Sequence, residues 1–550
     1  MTFYSKVKCF YPSCETVIIT GRDTACRICK EARCAEHNTE AHHDCLLSDL
    51  SNKPSNTKEK KERDKQIHLR QYAKLLDKLE LHRSFIVRSA ESLRPGHHCS
   101  LHLPGNSHTL VENDKMFGGI NVHFPMVFDD GIKWLIRIRQ ADNGIPPLAI
   151  LDTTARSEVC TLQVVKSFGL PVPGAWMPEH HLFRDEANNH GSSDHLSICY
   201  FFCEYMEGAS LSMPNLMPKN CWDANEQDRK IIEDYAKHQI EMSNHPLLFT
   251  EIGCLFPSAS AEPDMKTQVG PLASLWGLNY VDPPRYPGPF KPNKERYLAQ
   301  IDIALSNLTR ETDQNHCLNA YLWHLTLREL VETCAELSEE VSEVYVRHAD
   351  DKGDILKGTE EGRITAIFDW EMAYVTTKAE AFSSPIFCYL TYVNYEDQEV
   401  YTVREHMLIE YYKKSSRPDL AECVRRGKKY QMLSTIGRFQ GWYKMLCYPW
   451  ALMDAFEETK PDSLRPPLYT SKAWTIYMVD RYKNDQGLQG ILKELKWDLD
   501  MQKQLSHKEW EEEDAKRRHW WAMSALERTQ KKRETIAAKL TRMRAKDFRE

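Results

Sequence analysis

Two groups of residues carry enough chemistry to be taken first. One is the stretch HADDKGDIL, His348 to Leu356, in which Asp350, Asp351 and Asp354 fall within five residues. Like charges this close repel, so either the loop is solvated or a cation sits among them. It follows the apolar run VYVR and precedes ITAIFDWE, which adds Asp369. The other group is at the front of the chain, where six of the 17 cysteines lie within the first 45 residues, interleaved with histidines. Its order is Cys9, Cys14, Cys26, Cys29, Cys34, His37, His43 and Cys45, with His42 beside His43. Zinc takes four Cys or His ligands in a closed structural site, and short CxxC and CxxH spacings let one turn supply two of them. Eight ligands make two tetrahedra. The segment is too short to fold on apolar burial alone, so metal binding would supply its folding free energy; buried free thiols are the plain alternative.

A third constellation is a cation and a carboxylate. Residues 115–139, KMFGGINVHFPMVFDDGIKWLIRIR, read as two strands joined by a turn at Asp129, Asp130 and Gly131. Gly118 and Gly119 precede the first strand, where a glycine pair can bring backbone amides close to a phosphate or simply make a turn. Arg137 lies in the second strand, and Glu158 lies in the helical stretch ARSEVCTLQVVKSFGL. A strand cation paired with a helix carboxylate is how kinase-like folds hold nucleotide phosphates. An ordinary surface ion pair would leave the same trace in sequence. Downstream, CYFFCEYMEGASL reads as an apolar strand and a connector ending at Gly208.

These residues must be positioned by several modules, because 550 residues exceed one compact core. Hydrophobic residues make up 41% and charged residues 27%, a globular balance, and the net charge of −7 argues against a chain-wide nucleic-acid surface. The N-terminus lacks the apolar run of a signal peptide and no apolar stretch is long enough to span a bilayer, so an intracellular, cytoplasmic protein without a membrane partner is expected. There, clustered cysteines read as metal ligands before disulfides. Residues 51–65 are a polar, charged linker. Ile67, Tyr72, Leu75, Leu76 and Leu79 then recur at helical spacing until Pro95 stops the pattern. After Gly490 there is no further Gly or Pro, and the final sixty residues read as one long charged helix, solvated on one face or offered to a protein partner.

The run from Cys29 through Cys45, C-x4-C-x2-H-x5-H-x-C, resembles the AN-one type zinc finger. The resemblance implies a cross-braced arrangement, with Cys9, Cys14, Cys34 and His37 on one zinc and Cys26, Cys29, His43 and Cys45 on the other. The first pair departs from the family, being four residues apart where two are usual.

The order of pieces in the rest of the chain is Gly-bearing hairpin, strand with Arg137, helix with Glu158, LPVP, the connector, FTEIGCLF, then VYVRHAD and IFDWE. This order resembles the aminoglycoside phosphotransferase family, particularly its fungal branch, over roughly residues 96 to 395. The resemblance implies an α+β, two-lobed protein-kinase-like fold, with a β-rich N-lobe over 96–207 and a helical C-lobe over 208–490. A zinc finger over 1–50, a linker and helix over 51–95 and a C-terminal helix over 491–550 would flank it. It implies Asp350 as the base that orients the acceptor hydroxyl, His348 as a scaffold for the loop, and Asp369 with Asp354 as magnesium ligands. Nucleotide contacts would come from Gly118, Gly119, Arg137, Glu158, Glu204 and Met206. The chain departs where Asp354 stands in place of the usual Asn, one residue early, and where Arg137 replaces lysine. The expected function is therefore an ATP- and magnesium-dependent phosphotransferase acting on a hydroxyl of a small molecule. The alternative is a catalytically impaired pseudokinase that binds proteins through its zinc finger or C-terminal helix.

Overall fold

The computed structural model describes residues 6–8, 17–19, 69, 72–105, 121–139, 148–183, 198–211, 226–258, 267–272, 287–310, 314–353, 356–359, 362–388, 401–437, 452, 455, 456, 471–503 and 530. The eight expected zinc ligands, Gly118, Gly119 and Asp354 lie outside the described residues. At the front, β1 (Lys6–Lys8) and β2 (Val17–Ile19) pair antiparallel. Elsewhere the described residues form a mixed α and β protein with a six-stranded sheet and many helices. Among the described residues, no helix is long and apolar enough to cross a membrane.

The sheet is built from β3 (Cys99–Leu101), β4 (Asn121–Phe128), β5 (Lys133–Arg139), β6 (Ala175–Trp176) and β8 (Ile198–Glu204), in the order β3-β4-β5-β8-β6, with β7 (Leu182–Phe183) also on β8. The turn between β4 and β5 falls on the expected Asp-Asp-Gly, with Gly131 at φ +84°, a conformation that glycine adopts without strain. Side chains alternate across a strand, and here the alternation sorts two cores. Val122, Phe124, Met126, Trp134, Ile136, Ile138, Tyr200 and Phe202 point to one face, where the helical residues 72–81 and α1 (Arg83–Leu93) cover them with Leu75, Leu76, Leu79, Ile86 and Ala90. Phe201 and Cys203 point to the other face, against α2 (Leu148–Ser167) and its Val159, Cys160 and Leu162. Because β8 is buried on both sides, its sequence is continuously apolar rather than alternating.

On that second face β4 and β5 carry a polar row. Asn121, His123, Arg137 and Arg139 occupy the positions between the apolar ones, and register places His123 opposite Arg137 and Arg137 opposite Phe201. The row looks toward Asp369 and Glu371.

The segment from 209 onward contributes β9 (Ala209–Ser210), α3 (Glu226–Ser243), the hairpin β10 (Cys254–Pro257) and β11 (Thr267–Gly270), then the antiparallel helices α4 (Asn293–Leu308) and α5 (Gln314–Thr333). Next come β12 (Tyr345–Arg347), β13 (Leu356–Gly358), β14 (Ile364–Ile367) and β15 (Tyr374–Thr376). Strand β13 lies between β14 and β9, and β12 pairs with β15. The short α6 (Lys378–Ala381) and α7 (Val403–Lys414) follow.

Glu380 of α6 ties these pieces together. Its carboxylate, 2% exposed, accepts from Arg296 (2.6 Å), Tyr297 (2.7 Å), Tyr374 (2.6 Å) and Thr376 (2.6 Å). Burial alone would raise its pKa, but Arg296 and Arg347 outweigh that and hold the carboxyl near 2. Removing one member of a fully buried ion pair strands the other. Glu380→Ala is therefore expected to cost about 3 to 5 kcal/mol in urea denaturation; a loss under about 1 kcal/mol would contradict this account of the network.

The expected single helix through the last sixty residues is corrected at its start. Helix α8 (Gln486–Leu495) ends at Lys496, whose φ of +51° is left-handed. The helix is interrupted at Trp497 and Asp498 and resumes over 499–503, where Asp498 caps the backbone N–H of Met501 at 2.7 Å. The reason is packing: Leu492, Leu495, Trp497 and Leu499 all lie against the α4–α5 core, which one straight helix could not deliver. Residues 504–529 and 531–550 lie outside the described residues.

Candidate functional site

Strand β5 sets Arg137 on the sheet face that meets α2, and α2 presents Glu158 there. Arg137 Nη2 is 3.0 Å from Glu158 Oε1, 2.8 Å from Asp369 Oδ1 and 3.6 Å from Glu371 Oε2. The side chains of Arg137 and Glu158 are 10% and 5% exposed, which rules out the surface-pair reading. Arg137 Nη1 also lies 3.2 Å from His123 Nε2. Glu371 is held from the same strands, with Arg139 Nη1 at 2.5 Å and Asn121 Nδ2 donating at 3.2 Å.

Two guanidinium groups thus face three carboxylates. With every group ionised, the buried cluster has one negative charge in excess. Burial works against the Arg137 cation, but Glu158, Asp369 and Glu371 together outweigh it. Burial pushes Glu158 up to about 8 although Arg137 pulls the other way, so the free site retains a proton there near neutral pH. Asp369 stays below the usual carboxylate range, because Arg137 outweighs the effect of its burial.

The HADD loop follows β12. His348 Nε2 donates to Phe368 O at 2.6 Å, which leaves Nδ1 as the acceptor facing the Asp350 amide at 3.4 Å. Its ring packs on Trp370 at 4.6 Å. His348 thus joins the HADD loop to the segment bearing Asp369, a scaffold geometry. Ala349 (φ +66°) and Asp369 (φ +64°) are both left-handed, a conformation costing a side-chain-bearing residue about 1 to 2 kcal/mol. Such strain is retained where the surroundings over-determine a position.

Asp350 is 4% exposed, and its Oδ2 lies 2.9 Å from Lys352 Nζ. Burial raises its carboxyl to about 6, with Lys352 opposing and Asp369 reinforcing the shift. Asp351 has a different task. Its Oδ1 accepts from the Ile386 amide (2.9 Å), its Oδ2 from Tyr235 of α3 (3.3 Å), and its carbonyl from the Phe387 amide. It anchors the loop to the helical part. The cation question therefore resolves residue by residue: Asp350 has Lys352, and Asp351 accepts hydrogen bonds from Tyr235 and the Ile386 amide.

Glu204 and Met206 sit in the connector. The Glu204 carboxylate accepts from Lys166 (2.6 Å) and the Gly174 amide (3.0 Å), so its side chain is engaged structurally. The Met206 carbonyl accepts from Lys357 Nζ at 2.9 Å, and that ammonium lies 5.3 Å from the ring centres of both Tyr205 and Phe368. The connector and the residue before Asp369 are thereby linked.

The structure brings Arg137, Glu158, Asp369 and Asp350 into one region. Sequence reasoning missed Glu371, Arg139, Asn121 and His123. A signal existed for three of them, since Asn121, His123 and Arg139 stand two residues apart along the strands on the face that carries Arg137. Glu371 stands two residues after Asp369 in FDWE.

No family model matches the chain, and no curated protein matches it. Several solved structures are similar. A macrolide 2'-phosphotransferase of Brachybacterium faecium is 11% identical, with 69% of this chain and 98% of that one covered and a TM-score of 0.31. A Plasmodium vivax ethanolamine kinase is 13% identical over 79% of this chain and 92% of that one, with a TM-score of 0.33. An amicoumacin kinase is 12% identical over 65% and 93%, with a TM-score of 0.31. At such scores these likenesses carry no argument about fold or function.

Proposed function

We propose that this chain is a phosphotransferase of two-lobed, protein-kinase-like build that moves the terminal phosphoryl group of ATP to a hydroxyl of a small molecule. The observation that carries the reading is the meeting of the strand cation Arg137, the helix carboxylate Glu158 and Asp369, across 232 residues of sequence, beside a loop that holds Asp350. In the reaction the acceptor oxygen bonds to the terminal phosphorus while the bridging P–O bond breaks. ADP leaves with that electron pair, and the hydroxyl proton passes to Asp350. Glu158 holds Arg137, and Arg137 fixes the carboxylate of Asp369.

The donor set fits magnesium, which takes carboxylate oxygens and keeps several waters. Asp369 is 37% exposed, and its Oδ1 is held by Arg137 at 2.8 Å. Asp369 and Asp354 would hold the ion, which neutralises phosphate charge when bound.

Calorimetry of ATP on the wild type and on Asp369→Ala, with and without magnesium, tests the reading. The wild type should bind ATP with magnesium present, and the variant should lose about tenfold or more in affinity. No ATP binding by the wild type would sink it. Binding without transfer to water or to any hydroxyl compound would favour the pseudokinase alternative.

A further inference from the structure

Most of the hydrogen-bonding groups that the connector could offer a nucleotide base are already in use. The Glu204 amide donates to the Gly174 carbonyl at 2.8 Å and the Tyr205 amide to the Lys133 carbonyl at 3.1 Å. The Glu204 carboxylate is held by Lys166, and the Glu207 carbonyl accepts from Thr365 Oγ1 at 3.1 Å. The Met206 carbonyl accepts from Lys357 Nζ at 2.9 Å. Lys357 itself is the group with capacity to spare. An ammonium group carries three N–H donors, and among the described residues Lys357 places one, on Met206, and pairs with no carboxylate. Glu207, exposed to solvent, acts on it only as a charge at longer range. The ammonium group also lies over the rings of Tyr205 and Phe368, 5.3 Å from each centre, and π faces attract a cation without taking up its hydrogen bonds. Phe368 immediately precedes Asp369, so this half-buried cation touches both the connector and the segment that would hold magnesium.

Resting on the phosphotransferase reading, we infer that Lys357 selects the base of the phosphoryl donor and favours a purine with a carbonyl at position 6 over adenine. Guanine presents an oxygen acceptor at that position and adenine an amino donor. A 6-carbonyl takes one of the spare N–H bonds of Lys357. A 6-amino group brings donor against donor, and the carbonyl it would need, that of Met206, is already shared with a positive charge. Attraction for one base and repulsion for the other act in the same direction, so ATP is the weaker of two purine donors.

Inosine triphosphate isolates the effect, because its base differs from adenine only at position 6 and the adjoining N1. The test compares inosine triphosphate and ATP, each with magnesium, by calorimetry on the wild type, Lys357→Met and Lys357→Arg, with thermal melts alongside. The wild type should bind inosine triphosphate about tenfold or more tightly than ATP. Lys357→Met, which keeps the stem and loses the donor, should bring the two within about twofold, by weakening inosine triphosphate and strengthening ATP. Lys357→Arg should keep the wild-type order, because it restores a charged donor. A wild type that binds ATP as tightly as inosine triphosphate, or more tightly, overturns the inference and leaves the phosphotransferase reading intact, whatever the variants do. A preference for inosine triphosphate that survives in a Lys357→Met protein melting normally overturns it as well. A wild type that binds neither nucleotide overturns the phosphotransferase reading and this inference with it.

Discussion

Asp350→Asn is expected to abolish most phosphoryl transfer, by about 10² to 10⁴-fold, while Mg·ATP remains bound. The amide keeps the shape and the loop contacts but cannot accept the hydroxyl proton. Because burial sets the Asp350 carboxyl at about 6, the wild-type rate at low substrate should rise with pH through that value as the carboxylate forms. The variant should lack this limb. Transfer of a labelled terminal phosphoryl group to water, or to an acceptor found by screening, measures both effects. A variant that keeps more than about a tenth of the wild-type rate would remove Asp350 from the chemistry.

The second large effect is on stability and separates two neighbours in one ion cluster. Arg137→Met removes the cation that Glu158, Asp369 and Glu371 share, and breaking a buried cluster in this way costs about 3 to 5 kcal/mol. Glu158→Gln does the reverse, removing the excess negative charge, and should cost under about 1 kcal/mol at pH 8. The sign with pH follows from the raised Glu158 pKa. The folded protein holds that proton more tightly than the unfolded chain, so the stabilisation is full below about 4.5 and fades as pH rises toward 8. Urea denaturation from pH 5 to 8 should show this decline in the wild type and a flatter profile in Glu158→Gln. Equal destabilisation by the two substitutions would contradict the charge count.

Much of the scaffold was legible in the sequence because it follows from local rules. The Asp129-Asp130-Gly131 turn, the apolar β8 strand, the Glu158 helix and the helix that Pro95 ends rest on periodicity and turn chemistry. The pairing of Arg137 with Glu158 was legible in the sequence, and the contacts of Arg137 with Asp369 and of Arg139 with Glu371 were not. Sequence named Arg137 as a phosphate cation, whereas in the fold it grips Asp369, and only three-dimensional proximity shows that. Asp351 looked like one more repelling charge, yet Tyr235 and the Ile386 amide satisfy it from 116 and 35 residues away. Lys496 shows the limit of local propensity. A charged segment without Gly or Pro predicts an unbroken helix, but burying Trp497 redirects it.

The contact between Arg137 and Asp369 spans 232 residues, and that between Asn121 and Glu371 spans 250. During synthesis at about 5 to 20 residues per second, Arg137 would leave the ribosome roughly 10 to 50 s before its partner exists. For that interval β4 and β5 carry a row of charge that, among the described residues, Glu158 meets. The cluster is thus an event of late folding: its assembly waits on the whole span between hairpin and FDWE, and a chain stopped short of Asp369 would hold the sheet's apolar core without the ion pairs that tie it to FDWE.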